Sequence, residues 1–274
     1  MTAKALHINY KVLVIQVALH LAAFWGLLYF TPSNLGWALL IWFFTGCLGS
    51  SLGFHRLISH RAFNGPSWFK GFLALLGTLT FQGGPITWGA FHRAHHMKTD
   101  QRGDPHSAVK GFAWAHFLWI FNDNPNGFRL VDNVKRIADL RKDKWLLFLE
   151  RWNLEMNLAL FVIAFATLPL GTALWIMPVR IVMGWHLTYF VNSLAHGLLP
   201  FLKSENPEPR NSQALALITW GEGFHKNHHD YPYSSSFVEH WWQIDIGHIV
   251  LTLLEPLGLV RDRKYFGTRA ATDP

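Results

Sequence analysis

A single cysteine, Cys47, in a chain of 274 residues excludes a disulfide framework and any cysteine-based zinc or iron–sulfur site. Charge is also scarce. Asp, Glu, Lys and Arg make up 15% of the residues, against roughly 25% in an ordinary soluble domain. No H-E-x-x-H zinc-hydrolase motif occurs, and no haem-attachment or dinucleotide-binding fingerprint. The net charge of +7 falls mainly on two segments that flank apolar runs, which is a signal of membrane topology rather than of nucleic-acid binding. No cleaved signal peptide is expected, because the first apolar run is long and leads into Thr31-Pro32-Ser33-Asn34, so it reads as a retained anchor. What is plentiful is apolar length (half of all residues), with fourteen Trp and sixteen His.

Four stretches approach the roughly 20 apolar residues that a hydrocarbon core requires. They cover about 12–30, 35–54, 154–170 and 173–194, the last carrying Arg180 and His186. A shorter run, about 71–81, suits a re-entrant or interfacial helix. The turns at Thr31–Asn34 and Pro169–Thr172 hold no Lys or Arg, whereas 55–153 holds fourteen and the tail after Leu194 holds seven. By the positive-inside rule, both large polar segments and both termini face the cytoplasm. The expected fold is therefore all-α and integral to the membrane: four transmembrane helices as two hairpins, with a cytoplasmic helical cap (55–153 and 195–274), in a single domain over 1–274. Within the tail, 238–254 reads as an amphipathic surface helix, and only the last few residues read as disordered.

Nine histidines form four groups at the cytoplasmic ends of these helices: His55 with His60, His92 with His95 and His96, His196 alone, and His225 with His228 and His229. Positions i and i+4 share a helical face, so His92 with His96, His225 with His229, and Asn192 with His196 can each address one point. The i+3 and i+4 members sit side by side and can reach two neighbouring metals. His55 and His60, at i and i+5, stand about 140° apart on an ideal α-helix and need a distorted helix end, or they embrace a metal from either side. Neutral imidazole suits iron, zinc, copper and nickel, and nine ligands are too many for one ion and about right for two. One such pair alone commonly marks surface or capping residues, but four groups at one membrane face are hard to reconcile with independent accidents. His7, His20, His106, His116, His186, His240 and His248 are read as structural. Among nearby carboxylates that could hold ring tautomers, Asp100, Asp104, Glu222, Asp230 and Glu239, the strongest candidate is Glu222, between two glycines beside a ligand.

The chain resembles the membrane fatty-acyl desaturase family, in its Δ9 (stearoyl-CoA-desaturase-like) branch. The resemblance lies in Gly53-Phe54-His55-Arg56-Leu57-Ile58-Ser59-His60-Arg61, His92-Arg93-Ala94-His95-His96, Asp104-Pro105-His106, Asn192-Ser193-Leu194-Ala195-His196 and Gly221-Glu222-Gly223-Phe224-His225-Lys226-Asn227-His228-His229, and it spans about 10–260 in order and spacing. It implies a cap over four crossings and the nine histidines as ligands of two iron ions cycling between Fe2+ and Fe3+. It further implies Asn192 acting through a water, O2 as oxidant, and Gln82 and Trp88 shaping the bend of an acyl tunnel. The implied activity is oxygen-dependent formation of a Δ9 cis double bond. Hydroxylation, acetylene formation and oxidative decarboxylation share the same kind of centre and stand as alternatives. A membrane metal- or haem-binding electron carrier is the alternative of another class, although such a carrier would place paired His inside facing helices. Gly83, Ala90 and Phe91 stand where animal acyl-CoA enzymes carry polar groups for the CoA head group, and Met97-Lys98-Thr99-Asp100 departs from the commoner continuation. The acyl carrier (CoA, lipid or acyl-carrier protein) stays open.

Lacking any fingerprint of its own redox cofactor, the chain is expected to take electrons from another protein, such as ferredoxin or cytochrome b5. Lys135, Arg136, Arg141, Lys142 and Lys144 could steer an acidic donor, or meet anionic lipid head groups. A bacterial inner membrane is favoured over the endoplasmic reticulum, and no nucleic-acid partner is expected.

Overall fold

A computed structural model describes residues 8–198 and 207–266. Among these the chain is mostly helical, without strands, and only isolated bridges such as Asn64 with Arg261 tie remote segments. Helix α1 (Tyr10–Leu27) starts where the Asn9 side chain accepts from the Val12 N–H. Helix α2 (Pro32–Ser59) starts with Pro32 in its first turn and the Thr31 hydroxyl accepting from Asn34 N–H, which supplies the cap that a helix N-terminus lacks. Beyond Trp42 it widens into a π-helix over Phe43–Ser59.

Helix α3 (Ser67–Thr78) lies against this π-helical stretch. The approach is close because a Cβ on Gly49 would lie 2.3 Å from the Leu76 carbonyl carbon, and one on Gly53 2.7 Å from the Leu73 oxygen. Helix α4 (Pro85–Met97) is held at its N-terminus by Glu150, whose carboxylate accepts from the backbone N–H of Ile86 and Thr87. A short helix α5 (Phe112–His116) and a series of 3-10 turns through Lys142 cover α4 and lead to α6 (Lys144–Thr167), which Asp143 caps. Phe54, Ile58, Ala74, Ile86, Ala90, Leu140 and Leu149 form the core that joins α2, α3, α4 and α6.

Helix α7 (Leu170–His196) contains Pro178 within a π turn (Trp175–Val179), where a proline cannot donate its backbone bond and the ladder widens around it. Helices α8 (Gln213–Ile218), α9 (His225–Asp230) and α10 (Ile246–Leu254) complete the polar side.

Among the described residues, three helices are long and apolar enough to cross a membrane: α1, α2 and α7. Their bounds differ from the expected stretches at both ends. The first is 10–27 rather than 12–30, the second continues to Ser59 and so carries His55 inside it, and the last begins at Leu170 rather than 173. The expected third crossing, 154–170, is the distal part of α6, which starts ten residues earlier among Lys144, Glu150 and Arg151 and falls below that apolar standard over its length. The interfacial run expected at 71–81 is the helix Ser67–Thr78. The amphipathic helix expected over 238–254 is a correction, because only Ile246–Leu254 is helical. Gln243 Oε1 accepts from the N–H of Glu239 and His240, and Asp245 caps α10, so residues 238–245 meet their backbone needs through side chains instead of a helical ladder. The tail segment expected to be disordered lies outside the described residues, except for what precedes residue 267, and so does His7.

Candidate metal centre

The π-helix resolves the i, i+5 spacing of the first histidine pair. The N–H of His60 bonds to the carbonyl of His55, 3.2 Å away, and the rings meet edge to face with centroids 4.9 Å apart. Helix α4 brings His92, His95 and His96, the last turn of α7 brings His196, and α9 brings His225, His228 and His229. All nine rings meet in two adjacent groups that could each hold a metal ion. One comprises His55, His60, His92, His96 and His228, the other His95, His196, His225 and His229, with donor atoms in each within 4.8 Å of one another. The groups abut, since the rings of His96 and His229 stack with centroids 4.5 Å apart. Asn192 belongs to neither donor group. It lies one turn before His196 and faces the cavities described below.

The inward atoms are Nε2 throughout. Those of His55 and His228 are 3.0 Å apart, His228 and His96 2.8 Å, His60 and His92 2.6 Å. In the second group His196 and His225 approach to 3.1 Å, His225 and His229 to 3.1 Å, and His229 and His95 to 3.2 Å. The outward Nδ1 atoms explain what the inward ones are. His55 Nδ1 lies 2.6 Å from Glu222 Oε2, His95 Nδ1 2.9 Å from Asp104 Oδ2, and His196 Nδ1 3.1 Å from Asp100 Oδ2. A carboxylate accepts, so each of these rings carries its hydrogen on Nδ1 and turns a bare lone pair inward. The Nδ1 atoms of His225 and His228 are buried without a hydrogen-bond partner among the described residues. Lone pairs packed this closely repel unless a cation lies between them. A donor set made only of neutral imidazole nitrogen, in groups of five and four, fits a pair of transition-metal ions.

Burial above all, then the mutual repulsion of the rings, pushes the proton affinity of His60, His92, His95, His96, His225 and His228 well below the ordinary 6.5. His229 falls to about 3 for the same reasons. At neutral pH these rings are neutral, with lone pairs available to a metal. Burial pushes the Asp104 carboxyl up; for Asp100 burial acts in the same direction, but the hydrogen bond and charge of His196 outweigh it and hold the group below its usual range.

Of the five carboxylates singled out in the sequence, three stand behind rings. Glu222 also accepts from the Ser51 hydroxyl and faces Arg56 at 3.7 Å, and Arg56 in turn is clamped by both oxygens of buried Asp245. Asp230 is exposed and pairs with Lys226, and Glu239 is exposed. His106, read as structural, sits against the site: its ring centroid is 4.3 Å from that of His95, and it lines both cavities. The Asp-Pro-His run beside Asp104 was the sequence signal for it. His20, His186 and His116 form a separate row, linked at 3.1 and 3.0 Å.

Two cavities meet at the centre. A narrow one of about 60 Å³ runs between α2 and α7 toward Trp42 and Gly46. A wider one of about 610 Å³ opens outward past Phe81 and Tyr189 to Lys11 and Arg151. They share Trp88, His92, His106, Thr188 and Asn192. At the junction Gln82 donates to Thr188 (3.1 Å) and accepts from the Trp88 indole (3.3 Å), while Trp88 stacks on His92 at 5.1 Å. A third cavity, about 860 Å³, lies on the far side of α3 and does not reach the histidines.

A paired, all-imidazole centre at the end of an apolar passage in a helical membrane protein defines a metal-dependent oxidoreductase for long apolar substrates. The model of the fatty acid desaturase family matches residues 32–255. The chain is 36% identical to an sn-1 stearoyl-lipid 9-desaturase of Synechocystis sp., over 93% of this chain and 80% of that one. It is 35% identical to an sn-1 stearoyl-lipid 9-desaturase of Anabaena variabilis, over 94% of each, and 36% identical to an sn-2 palmitoyl-lipid 9-desaturase of a Nostoc species, over 85% and 82%. The chain belongs to the fatty acid desaturase family and is a fatty-acyl desaturase, an oxidoreductase of the membrane.

Proposed function

We propose that this enzyme introduces a Δ9 cis double bond into a saturated acyl chain, with two iron ions held by His55, His60, His92, His96 and His228 on one side and His95, His196, His225 and His229 on the other. The observation that carries this reading is the convergence of nine inward Nε2 atoms beside the junction of the two cavities. Two bound iron ions, with O2 and two electrons, supply the oxidant needed to remove hydrogen from an unactivated methylene, chemistry that no amino-acid side chain provides and that redox-inert zinc cannot supply.

The chain's own residues do the rest. Asp100, Asp104 and Glu222 orient His196, His95 and His55, and Asn192 holds a water toward the second group. Gln82, Trp88 and Thr188 bend the acyl chain so that one pair of carbons lies beside the centre, and the apolar walls exclude water. Selectivity for position nine follows from the depth of this bend below the open end, in line with the names of the relatives.

The proposal extends to topology. α6 supplies a fourth crossing through its distal apolar half, the whole chain forms one domain, and the cap and termini face the cytoplasm of a bacterial inner membrane, in accord with the basic residues of 55–153 and the tail. Electrons come from an acidic one-electron protein such as ferredoxin or cytochrome b5. It docks on the basic cap, where Lys135, Arg141, Lys142 and Lys144 are exposed.

The test is expression in a host lacking its own Δ9 desaturase together with a competent donor, followed by gas-chromatographic mapping of double bonds. A new Δ9 cis bond is expected. Saturated lipids despite good expression would refute the reading, and hydroxylated or acetylenic chains would reassign the outcome of the same centre.

A further inference from the structure

We propose that Arg180 and Trp185 of α7, with Asn157 of α6, are positioning residues for regioselectivity: they fix the height along α7 of the turn between α3 and α4, and through it which carbon pair of the acyl chain lies beside the centre. This rests on the desaturase reading and on the bend at Gln82. Arg180 lies within a helix apolar enough to cross a membrane, is 3% exposed, and has no ion-pair partner among the described residues. A buried cation without a carboxylate is costly, and in a membrane helix it is by default a pointer to function. The guanidinium is committed to oxygen atoms: Nε donates to the Ile176 carbonyl at 2.7 Å, and Nη1 to the Thr45 hydroxyl at 3.1 Å and the Leu79 carbonyl at 3.4 Å.

The Leu79 carbonyl belongs to a turn that cannot satisfy itself. Helix α3 ends at Thr78, and no backbone N–H among the described residues reaches the oxygens of Leu79 or Phe81. Helix ends leave such orphan carbonyls, and at membrane depth side chains must meet them. Three do. Asn157 Nδ2 donates to the Thr78 oxygen (3.0 Å), Arg180 to that of Leu79, and the Trp185 indole to that of Phe81 (3.1 Å). Phe81 has a positive φ of 60°, left-handed backbone that a bulky aromatic rarely adopts, so the turn is held in shape by these contacts rather than by its own preference.

Together the contacts form a register. Leu79, Phe81 and Gln82 meet Arg180, Trp185 and Thr188 in the same order along both segments, over about 12 Å of α7 at roughly 1.5 Å per residue. Gln82, the last of the three, also holds the Trp88 indole where the two cavities join. A slide of the turn along α7 would carry the bend with it and bring a neighbouring carbon pair to the histidines. Arg180 lines neither cavity, so it acts on the acyl chain only through the turn.

The experiment expresses the wild type, Trp185→Phe, Arg180→Met and Arg180→Lys with an electron donor in a host lacking Δ9 desaturase, and maps the position of every double bond by gas chromatography with mass spectrometry. Amide hydrogen exchange across 78–84 and iron per chain are measured on the purified proteins. The wild type is expected to make one positional isomer. Trp185→Phe keeps an aromatic ring but loses the indole N–H, so its preference for that isomer over the adjacent ones is expected to fall roughly fivefold, the worth of one hydrogen bond. Arg180→Met is expected to lower it roughly tenfold or more, and Arg180→Lys, which retains a cationic donor, to recover most of it. Exchange across 78–84 is expected to rise in step, while iron per chain stays at the wild-type value. A single unchanged isomer in Trp185→Phe and Arg180→Met, at whatever yield, would overturn the registration, because a merely structural loss lowers the amount of product and not its position. If Arg180→Met does not accumulate, Trp185→Phe alone decides. Absence of any double bond from the wild type would overturn the desaturase reading, and this inference with it.

Discussion

Glu222 takes the Nδ1 hydrogen of His55 at 2.6 Å and is itself held by Ser51 and faced by Arg56. A neutral amide in its place keeps the shape but loses the charge that orients the ring. Glu222→Gln is therefore expected to weaken metal at the five-histidine group by roughly 10- to 100-fold, the usual cost of removing such an outer partner. Iron per chain after dialysis against a graded chelator measures this; the expected pattern is early loss of one of the two ions, and retention equal to wild type would show that Glu222 does not support the ligand. Asp100→Asn should instead affect the other group, through His196. These carboxylates were partly legible in the sequence. Glu222 stood out because it is adjacent to a ligand, whereas Asp100 and Asp104 reach their rings only because the chain turns back after α4, with Asp100 at a positive φ of 60°. That turn has no periodic signature. His106 was read as structural for the same reason.

At the level of elements, the spacing His55–His60 conflicts with an α-helix and fits a π-helix, in which i and i+5 are joined by the hydrogen bond seen here. Apolar length revealed that α2 was a membrane helix, but not its widening, because hydropathy carries no information on which carbonyl each N–H selects. The start of α6 was missed because its first ten residues include Lys144, Glu150 and Arg151, and 238–245 was overextended as helix because its apolar residues mimic an amphipathic period. The α2–α3 contact depends on glycine. A Cβ on Gly49 would lie within 2.3 Å of the Leu76 backbone, which cannot swing aside as a flexible side chain can. Gly49→Val is thus expected to destabilise the fold by about 3 kcal/mol through overpacking. Thermal unfolding in detergent checks it, and a wild-type melting temperature would mean that α3 is not held against α2 in this way.

For the whole molecule, the nine rings concentrate a cost that metal binding relieves. The folded-state affinities of His60, His92, His95, His96, His225, His228 and His229 all lie below the ordinary 6.5, with burial as the leading cause. As pH falls past about 6.5 the unfolded chain therefore takes up protons before the folded one, so stability is greatest above that value and declines steadily below it. Metal-free protein should show a melting temperature that drops on acidification from pH 7 to pH 5, and metal-loaded protein should resist until the ions dissociate. A metal-free melting temperature flat across this range would mean that the rings are solvated rather than buried together. The same burial accounts for the division of labour in the chain: membrane helices carry the cavities, and the polar ends of α2 and α7 with α4 and α9 carry the clustered histidines.

Metal analysis of the purified protein tests the central claim most directly, since the two groups of five and four imidazoles could each hold an ion. The expected result is about two iron ions per chain in the wild type, with His92→Ala and His196→Ala each lowering the count from opposite groups. One ion or none in active, fully folded protein, or zinc in place of iron, would contradict the account.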